Sequence, residues 1–414
     1  MRTAQALLLS ILFTGAASAQ TFEQLGFLRL NDTTPRSTRA VALGGASDPA
    51  DADMAANPAT LASVKRPMFL LQAARNSLGT TQFLNPVTSQ PNSIGSSSLS
   101  QGAVAVPLGN IVLGVYAASE PRVQGPGSGA TSFGVVPYGR PICMGLCSYY
   151  FPLAEGSFAR HERRYGVALA EERGAFAFGL GAEVQRVEET AEIVRLAIVT
   201  IPLASAPGPT TRVFRRVDGR AIVPNAGVRW RVSPRLALAA AYNGAGSFTR
   251  TMSACNIQFH EWLTCTSALT QIGSSAERLP DAIRAGASFA ATEHLRLAAE
   301  AVRRNYSHLA SDESTIFDIA QRWPYRNVTE LHAGVEYTLS SLPLSLRAGW
   351  WRDPSRFDAE QFVFPAPPAA INQSVRHTTF GAGVNVGSAR FDVAYDHSSL
   401  ALQRRAVAGI TFGL

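Results

Sequence analysis

Arginine is the residue type with the most chemistry to offer in this chain. Lysine and arginine together number 37 against 30 acidic residues, for a net charge of +7, and Lys65 is the sole lysine. Arg164, Arg229, Arg231, Arg284, Arg296, Arg347, Arg390 and Arg405 recur at alternate positions, as do Glu183, Glu300, Glu336, Asp392 and Asp396. Such a set does one of two things. It forms an interior ion-pair network that offsets the cost of burying charge, or one or two arginines hold a ligand carboxylate through paired hydrogen bonds. Catalysis is not signalled. The seven histidines are scattered, and neither H-E-x-x-H nor G-x-S-x-G occurs. No enzyme activity, cofactor or metal site is expected.

The elements that must position these charges read as strands. Ala408, Ile410, Phe412 and Leu414 share one face while Val407, Gly409, Thr411 and Gly413 share the other. Phe391, Val393 and Tyr395 oppose Arg390, Asp392 and Asp396, and Leu331 to Leu339 alternate with His332, Gly334, Glu336 and Thr338. Strands are expected at 67–75, 99–108, 110–119, 164–171, 175–185, 222–232, 235–242, 282–290, 295–303, 328–339, 344–351, 379–386, 390–395 and 404–414. Short turns alternate with long connections at 120–159, 188–219, 246–278, 305–326 and 352–373. A soluble sandwich shows the same alternation, but short turns on one side and long loops on the other favour an outer-membrane barrel. The fold class is therefore all-β: an antiparallel transmembrane β-barrel of about fourteen strands, an even number as such barrels use. Hydrophobic content of 46% does not oppose this, because alternation averages the membrane signal away.

Two stretches precede the first strand. Residues 1–19 combine a basic start, an apolar run and Ala17-Ser18-Ala19, and read as a signal peptide too short to span a bilayer. Residues 20–66 contain Gly44-Gly45 and Asp48-Pro49, which are turn chemistry, and lack strand alternation. A bent, polar segment ahead of a barrel reads as a plug within it; residues 67–414 form the barrel. The plug residues are Gly44, Gly45, Asp48, Asp51, Asp53, Asn57, Pro58 and Ala59, although Asn57-Pro58 alone also reads as a plain turn. Phe22, Leu25, Phe27 and Leu28 are either a loose packing segment or an apolar finger lining a ligand pocket.

Ala42-Leu43-Gly44-Gly45-Ala46, the acids at 48, 51 and 53, Asn57-Pro58-Ala59, Leu61 and Arg66-Pro67 form an ordered set. The set resembles the N-terminal hatch of the outer-membrane long-chain fatty-acid and hydrophobic-compound transporters of the FadL/TodX type. The motif match covers roughly residues 21–75 and the remainder follows by architecture. The resemblance implies a fourteen-stranded barrel and passive uptake of hydrophobic small molecules (long-chain fatty acids or aromatic hydrocarbons) gated by the plug. A similar opening occurs in PorV-like components of a protein secretion system, so a role in secretion is the alternative, and a general diffusion porin a third.

Export to an oxidising compartment favours disulfides. Four cysteines allow three pairings, of which Cys143–Cys147 and Cys255–Cys265 close the shortest loops. A zinc site with His161 or His260 is the other reading, opposed by the lack of C-x₂-C spacing. Around these cysteines the expected outer loops carry Tyr149, Tyr150, Phe151, Phe259 and Trp262. These are ligand-capture candidates, or else lipid contacts or loop packing. The expected partners are a hydrophobic ligand, outer-membrane lipid and lipopolysaccharide, whose phosphates a basic outer rim would suit. The closing Gly409–Leu414 pattern adds the outer-membrane assembly machinery. Export argues against nucleic acid. The expected location is the cell outer membrane of a Gram-negative-type bacterium.

Overall fold

A computed structural model describes residues 36–48, 53–79, 93–119, 123–124, 149–201, 204–207, 210–257, 267–308, 326–355, 374–399 and 403–413. Their strands in chain order begin with β1 (Met68–Gly79), β2 (Ser93–Leu108), β3 (Ile111–Ser119), β4 (Val123–Gln124), β5 (Tyr149–Arg173) and β6 (Phe176–Ile201). Next come β7 (Ala204–Pro207), β8 (Thr210–Arg231), β9 (Leu236–Asn243), β10 (Ser247–Ile257), β11 (Thr270–Arg278) and β12 (Ala282–Ala290). The last are β13 (Leu295–Arg304), β14 (Val328–Thr338), β15 (Leu344–Asp353), β16 (Val375–Val386), β17 (Ala389–Ser398) and β18 (Gln403–Gly413).

These pieces make a closed wall of 14 antiparallel strands. The lower part of β8 pairs with β9 and its upper part with β10. β9 and β10 are thus two halves of one strand, as are β11 and β12. β4 prolongs β3 along β5, and β7 folds back on the top of β6. Closure comes from β1 pairing with β18, Met68 opposite Gly413 and Leu78 opposite Gln403. A closed sheet leaves no edge strand with unpaired backbone groups.

Each expected strand exists, but several are longer. Parts of the connections expected at 120–159, 188–219 and 246–278 are instead strand: β5 begins at Tyr149, β6 and β8 take up most of the second, and β10 and β11 lie in the third. Tyr149, Tyr150 and Phe151 accordingly sit in β5, opposite Thr200, Val199 and Ile198, and not in a loop. The reason is physical. Past Val184 the outward positions are Arg186, Glu188 and Thr190, so the outward face stops being apolar while the backbone ladder continues.

The two faces separate cleanly at mid-wall. Phe178, Leu180, Val167, Leu169, Ile283, Leu331, Phe380 and Val393 are exposed outward, while Glu183, Arg284, Glu300, Arg347, Thr379 and Asp392 are buried inward. On β6 the outward apolar positions run from Phe176 to Val184. At ~3.3 Å per residue and a tilt of ~40°, they cover about 20 Å of height, near the ~25 Å apolar band of such barrels. Phe176 and Trp230 stack at 5.7 Å, an aromatic pair at the short-turn edge of that band.

Candidate functional site

Within this wall lie residues 36–48 and 53–64 of the N-terminal stretch. It has a helix of 5 residues, Thr38–Ala42, and a 3-10 turn, Pro58–Ser63. Both are capped by side chains at their N-terminal ends. Ser37 accepts from Ala40 N and Asn57 from Ala59 N, which satisfies donors a helix start leaves open. Gly44 and Gly45 take φ of 70° and 77°, the left-handed region that glycine enters without strain. Ser37 N donates to Asp53 at 3.2 Å, tying the two pieces together.

Glycines on the wall make room for this backbone. A Cβ at Gly334 would lie 2.5 Å from Leu43 O, one at Gly409 2.5 Å from Thr38 Oγ1, and one at Gly114 2.8 Å from Leu61 Cδ1. At Gly349, Gly381, Gly179 and Gly227 it would overlap Gly44 N, Ala42 Cβ, Ala59 N and Asn57 Oδ1. Except at Gly114, where the neighbour is the end of the Leu61 side chain, these are backbone or short-side-chain atoms with little freedom to move. The glycines thus form a seat cut to the shape of the segment.

Polar contacts fasten it. Thr379 Oγ1 accepts from Gly44 N and donates to Ala42 O, both at 2.9 Å. His332 Nδ1 donates to Gly44 O at 2.7 Å. Gln72 donates to Arg36 O and accepts from Thr38 Oγ1. Asn57 Nδ2 donates to the wall carbonyls of Ala240 at 3.3 Å and Val228 at 3.5 Å, and Asn243 donates to Ala55 O at 3.2 Å. Buried backbone groups need such partners, because leaving one unmade costs about 1–3 kcal/mol.

The charged half of the interior is an ion-pair network. Arg39 makes two 2.8 Å hydrogen bonds to Glu336 and one of 2.7 Å to Asp48. Arg347 joins Glu336 at 2.5 Å and Asp392 at 2.8 Å. Arg296 reaches Asp48 at 2.8 Å, and Glu300 holds Arg284 at 2.9 Å and Ser47 N at 2.8 Å. Above Gly44 the Trp351 ring lies between His332 and His377, at 5.5 and 3.7 Å, with His377 on Asp396 at 2.9 Å. Elsewhere Arg164 bridges Glu162 and Glu183, which also accepts from Tyr116.

The opposite half is apolar. Met54, Leu61, Ala62 and Val64 pack on Leu70, Ala103, Ala105, Val112, Ala168, Ala170 and Ala177. The segment is thus held by charge on β13 and β14, by hydrogen bonds to β1, β8, β9, β14 and β16, and by small-residue packing on β1–β6. Two cavities of about 290 and 320 Å³ flank it at the short-turn end. Lys65, Glu172, Arg229 and Arg296 are among the residues lining the first, and Thr38, Arg39, Arg390 and Asp392 line part of the second.

Of the residues marked from sequence, Gly44, Asp48, Asp53, Asn57, Pro58 and Ala59 are buried here and Gly45 half-buried. Arg164, Arg229, Arg284 and Arg347 are buried, each paired with a carboxylate of the chain. Arg231 is half-exposed at the mouth. Asp51, Phe22, Leu25, Phe27, Leu28, Phe259, Trp262, Cys143, Cys147 and Cys265 lie outside the described residues. Cys255 is disulfide-bonded and sits in strand β10. Sequence reasoning missed Arg36, Arg39, Gln72 and Thr379, and it placed His332, Gly334 and Gly409 on a strand face without their role as a seat. Their signal was parity: each wall residue of this set stands on the inward face of its strand.

No protein-family model matches the sequence, and no curated protein does. Solved structures do. A FadL homologue of Pseudomonas aeruginosa superposes with a TM-score of 0.64 at 15% identity, over 91% of this chain and 98% of that one. The chain shares its fold. The Ralstonia pickettii toluene transporter TbuX gives 0.59 at 14%, over 92% and 99%. The Pseudomonas putida toluene transporter TodX gives 0.58 at 15%, over 92% and 99%. The barrel implied by the hatch-like opening is the barrel found.

Proposed function

We propose that the protein is an outer-membrane channel for passive uptake of hydrophobic small molecules, long-chain fatty acids or aromatic hydrocarbons, with residues 20–66 as its plug. The observation that carries this is the two-sided seating of residues 36–48 and 53–64. Ion pairs anchor the first piece, whereas the second rests through Met54, Leu61 and Val64 on a wall of mostly small apolar residues, with Asn57 and Asn243 as its polar ties. Apolar contacts are non-directional, so that side can shift and remake them, opening an apolar lane beside an anchored hinge. A water-filled porin has no use for such a lane. The sharing of fold with two toluene transporters and a monoaromatic hydrocarbon channel supports the reading. An outer-membrane location accords with an apolar outward belt on a closed sheet. Phe22, Leu25, Phe27, Leu28, Phe259 and Trp262 remain the ligand-contact proposals, with Tyr149, Tyr150 and Phe151 presented from strand β5.

The test is uptake of radiolabelled oleate and of toluene by cells with and without the gene. Faster uptake of one or both with the protein present is expected. Equal rates for both would reject the function.

A further inference from the structure

Above the apolar belt the wall carries arginines in register. Arg163 of β5 stands opposite Arg186 of β6, and Arg186 opposite Arg220 of β8. All three lie on the outward face. Arg163 and Arg186 have side chains 37% and 49% exposed, and Arg220 is exposed. The outward row directly beneath is Tyr165, Val184 and Ile222, exposed by 49%, 37% and 74%. The next outward row above holds Glu188 and Asp218. Glu188 lies 3.1 Å from Arg186 and 3.6 Å from Arg163, and Asp218 pairs with Arg216 at 3.4 Å. Four guanidinium groups thus face two carboxylates. The arrangement recurs seven wall strands away, where Arg352 of β15 opposes Arg376 of β16, both exposed, next to the outward Trp350.

Like charges directly opposite on neighbouring strands, ~5 Å apart, destabilise a sheet. A row of them on the lipid-facing side, at the height where the apolar belt stops, gains if an anion bridges it. Arginine suits phosphate there, because its planar fork gives two parallel hydrogen bonds where lysine gives a point charge. The phosphate must belong to a molecule whose acyl chains lie along Tyr165, Val184 and Ile222 below. We infer that the Arg163–Arg186–Arg220 row is a binding site for the phosphorylated glucosamine headgroup of lipid A in the outer leaflet. This rests on the outer-membrane reading above. The site anchors the tall β5–β6–β8 wall in its lipid.

The experiment titrates the full-length barrel in neutral detergent with fluorescent diphosphoryl lipid A, then with its dephosphorylated form, phosphatidylglycerol and inorganic phosphate. Replacing all three arginines (R163Q, R186Q, R220Q) is expected to weaken lipid A binding by at least about tenfold. Dephosphorylated lipid A is expected to lose as much on the native chain. Arg173→Gln, an exposed control at the short-turn end, should change nothing. If the triple variant fails to assemble, Arg186→Gln alone serves, with a loss of about threefold expected. An assembled variant that binds lipid A like the native protein overturns the inference. So does phosphatidylglycerol binding as tightly as lipid A, or displacement by an equal concentration of inorganic phosphate. Oleate and toluene uptake by the variant, read in the same cells as the native chain, should be unchanged. Loss of the lipid A site with uptake intact, or the reverse, separates the two proposals.

Discussion

At the scale of single residues, the wall glycines do what no side chain can. Gly334 and Gly349 meet the Leu43–Gly44 backbone, which is fixed by Thr379 and His332. A branched side chain there has no room and no yielding neighbour. Gly349→Val is therefore expected to leave the barrel assembled and expel residues 36–48 from their seat. Limited proteolysis with mass mapping should then cut at Arg36 or Arg39, which the native protein shields; an uncut variant would show that the seat tolerates the Cβ. These glycines were visible in the sequence as inward-parity positions, Gly334 between His332 and Glu336. That they faced another backbone was not, because parity gives the face and not what occupies it. The arginines were legible in the same limited way. Arg284 and Arg347 fall on the inward face by alternation, but their partners Glu300 and Asp392 lie 16 and 45 residues away, joined by a barrel register that no local pattern encodes.

The elements divide at the edge of the apolar belt. Within that belt, period-two alternation located every strand, because an apolar outward face and a polar interior impose it. Beyond that belt β6 continues to Ile201 and β8 starts at Thr210, in stretches such as Ile193-Val194 and Ile198-Val199 where polar and apolar residues no longer alternate and which therefore read as connections. The N-terminal segment was legible for a different reason: its Gly-Gly, Asp-Pro and Asn-Pro punctuation forbids a strand. Its short helix and its 3-10 turn were too brief to carry a period. The cysteines belong to this scale as well. Cys255 near the top of β10 is disulfide-bonded, and the proposed pairs are Cys255–Cys265 and Cys143–Cys147. Non-reducing digestion and mass mapping should yield those two cross-linked peptides; a link between Cys143 or Cys147 and the second pair would reject them.

For the whole molecule, closure of β1 on β18 and a charged interior make one cooperative object. A closed barrel has no edge from which to unzip, so unboiled protein in detergent should migrate faster on a gel than boiled protein. Identical mobility would contradict the fold. The interior sets the larger claim, that the segment from Arg36 to Val64 closes the channel. Among the described residues no wall strand uses it for backbone pairing; its contacts there are side-chain bonds, packing on alanines and the glycine seat. The most direct measurement is therefore ion conductance in planar bilayers after deleting residues 21–62 with the leader retained. The deleted protein should still assemble and should pass from a nearly closed state to stable open-pore conductance. If it assembles and conducts no more than the intact chain, the segment is not a plug and the channel reading loses its central support.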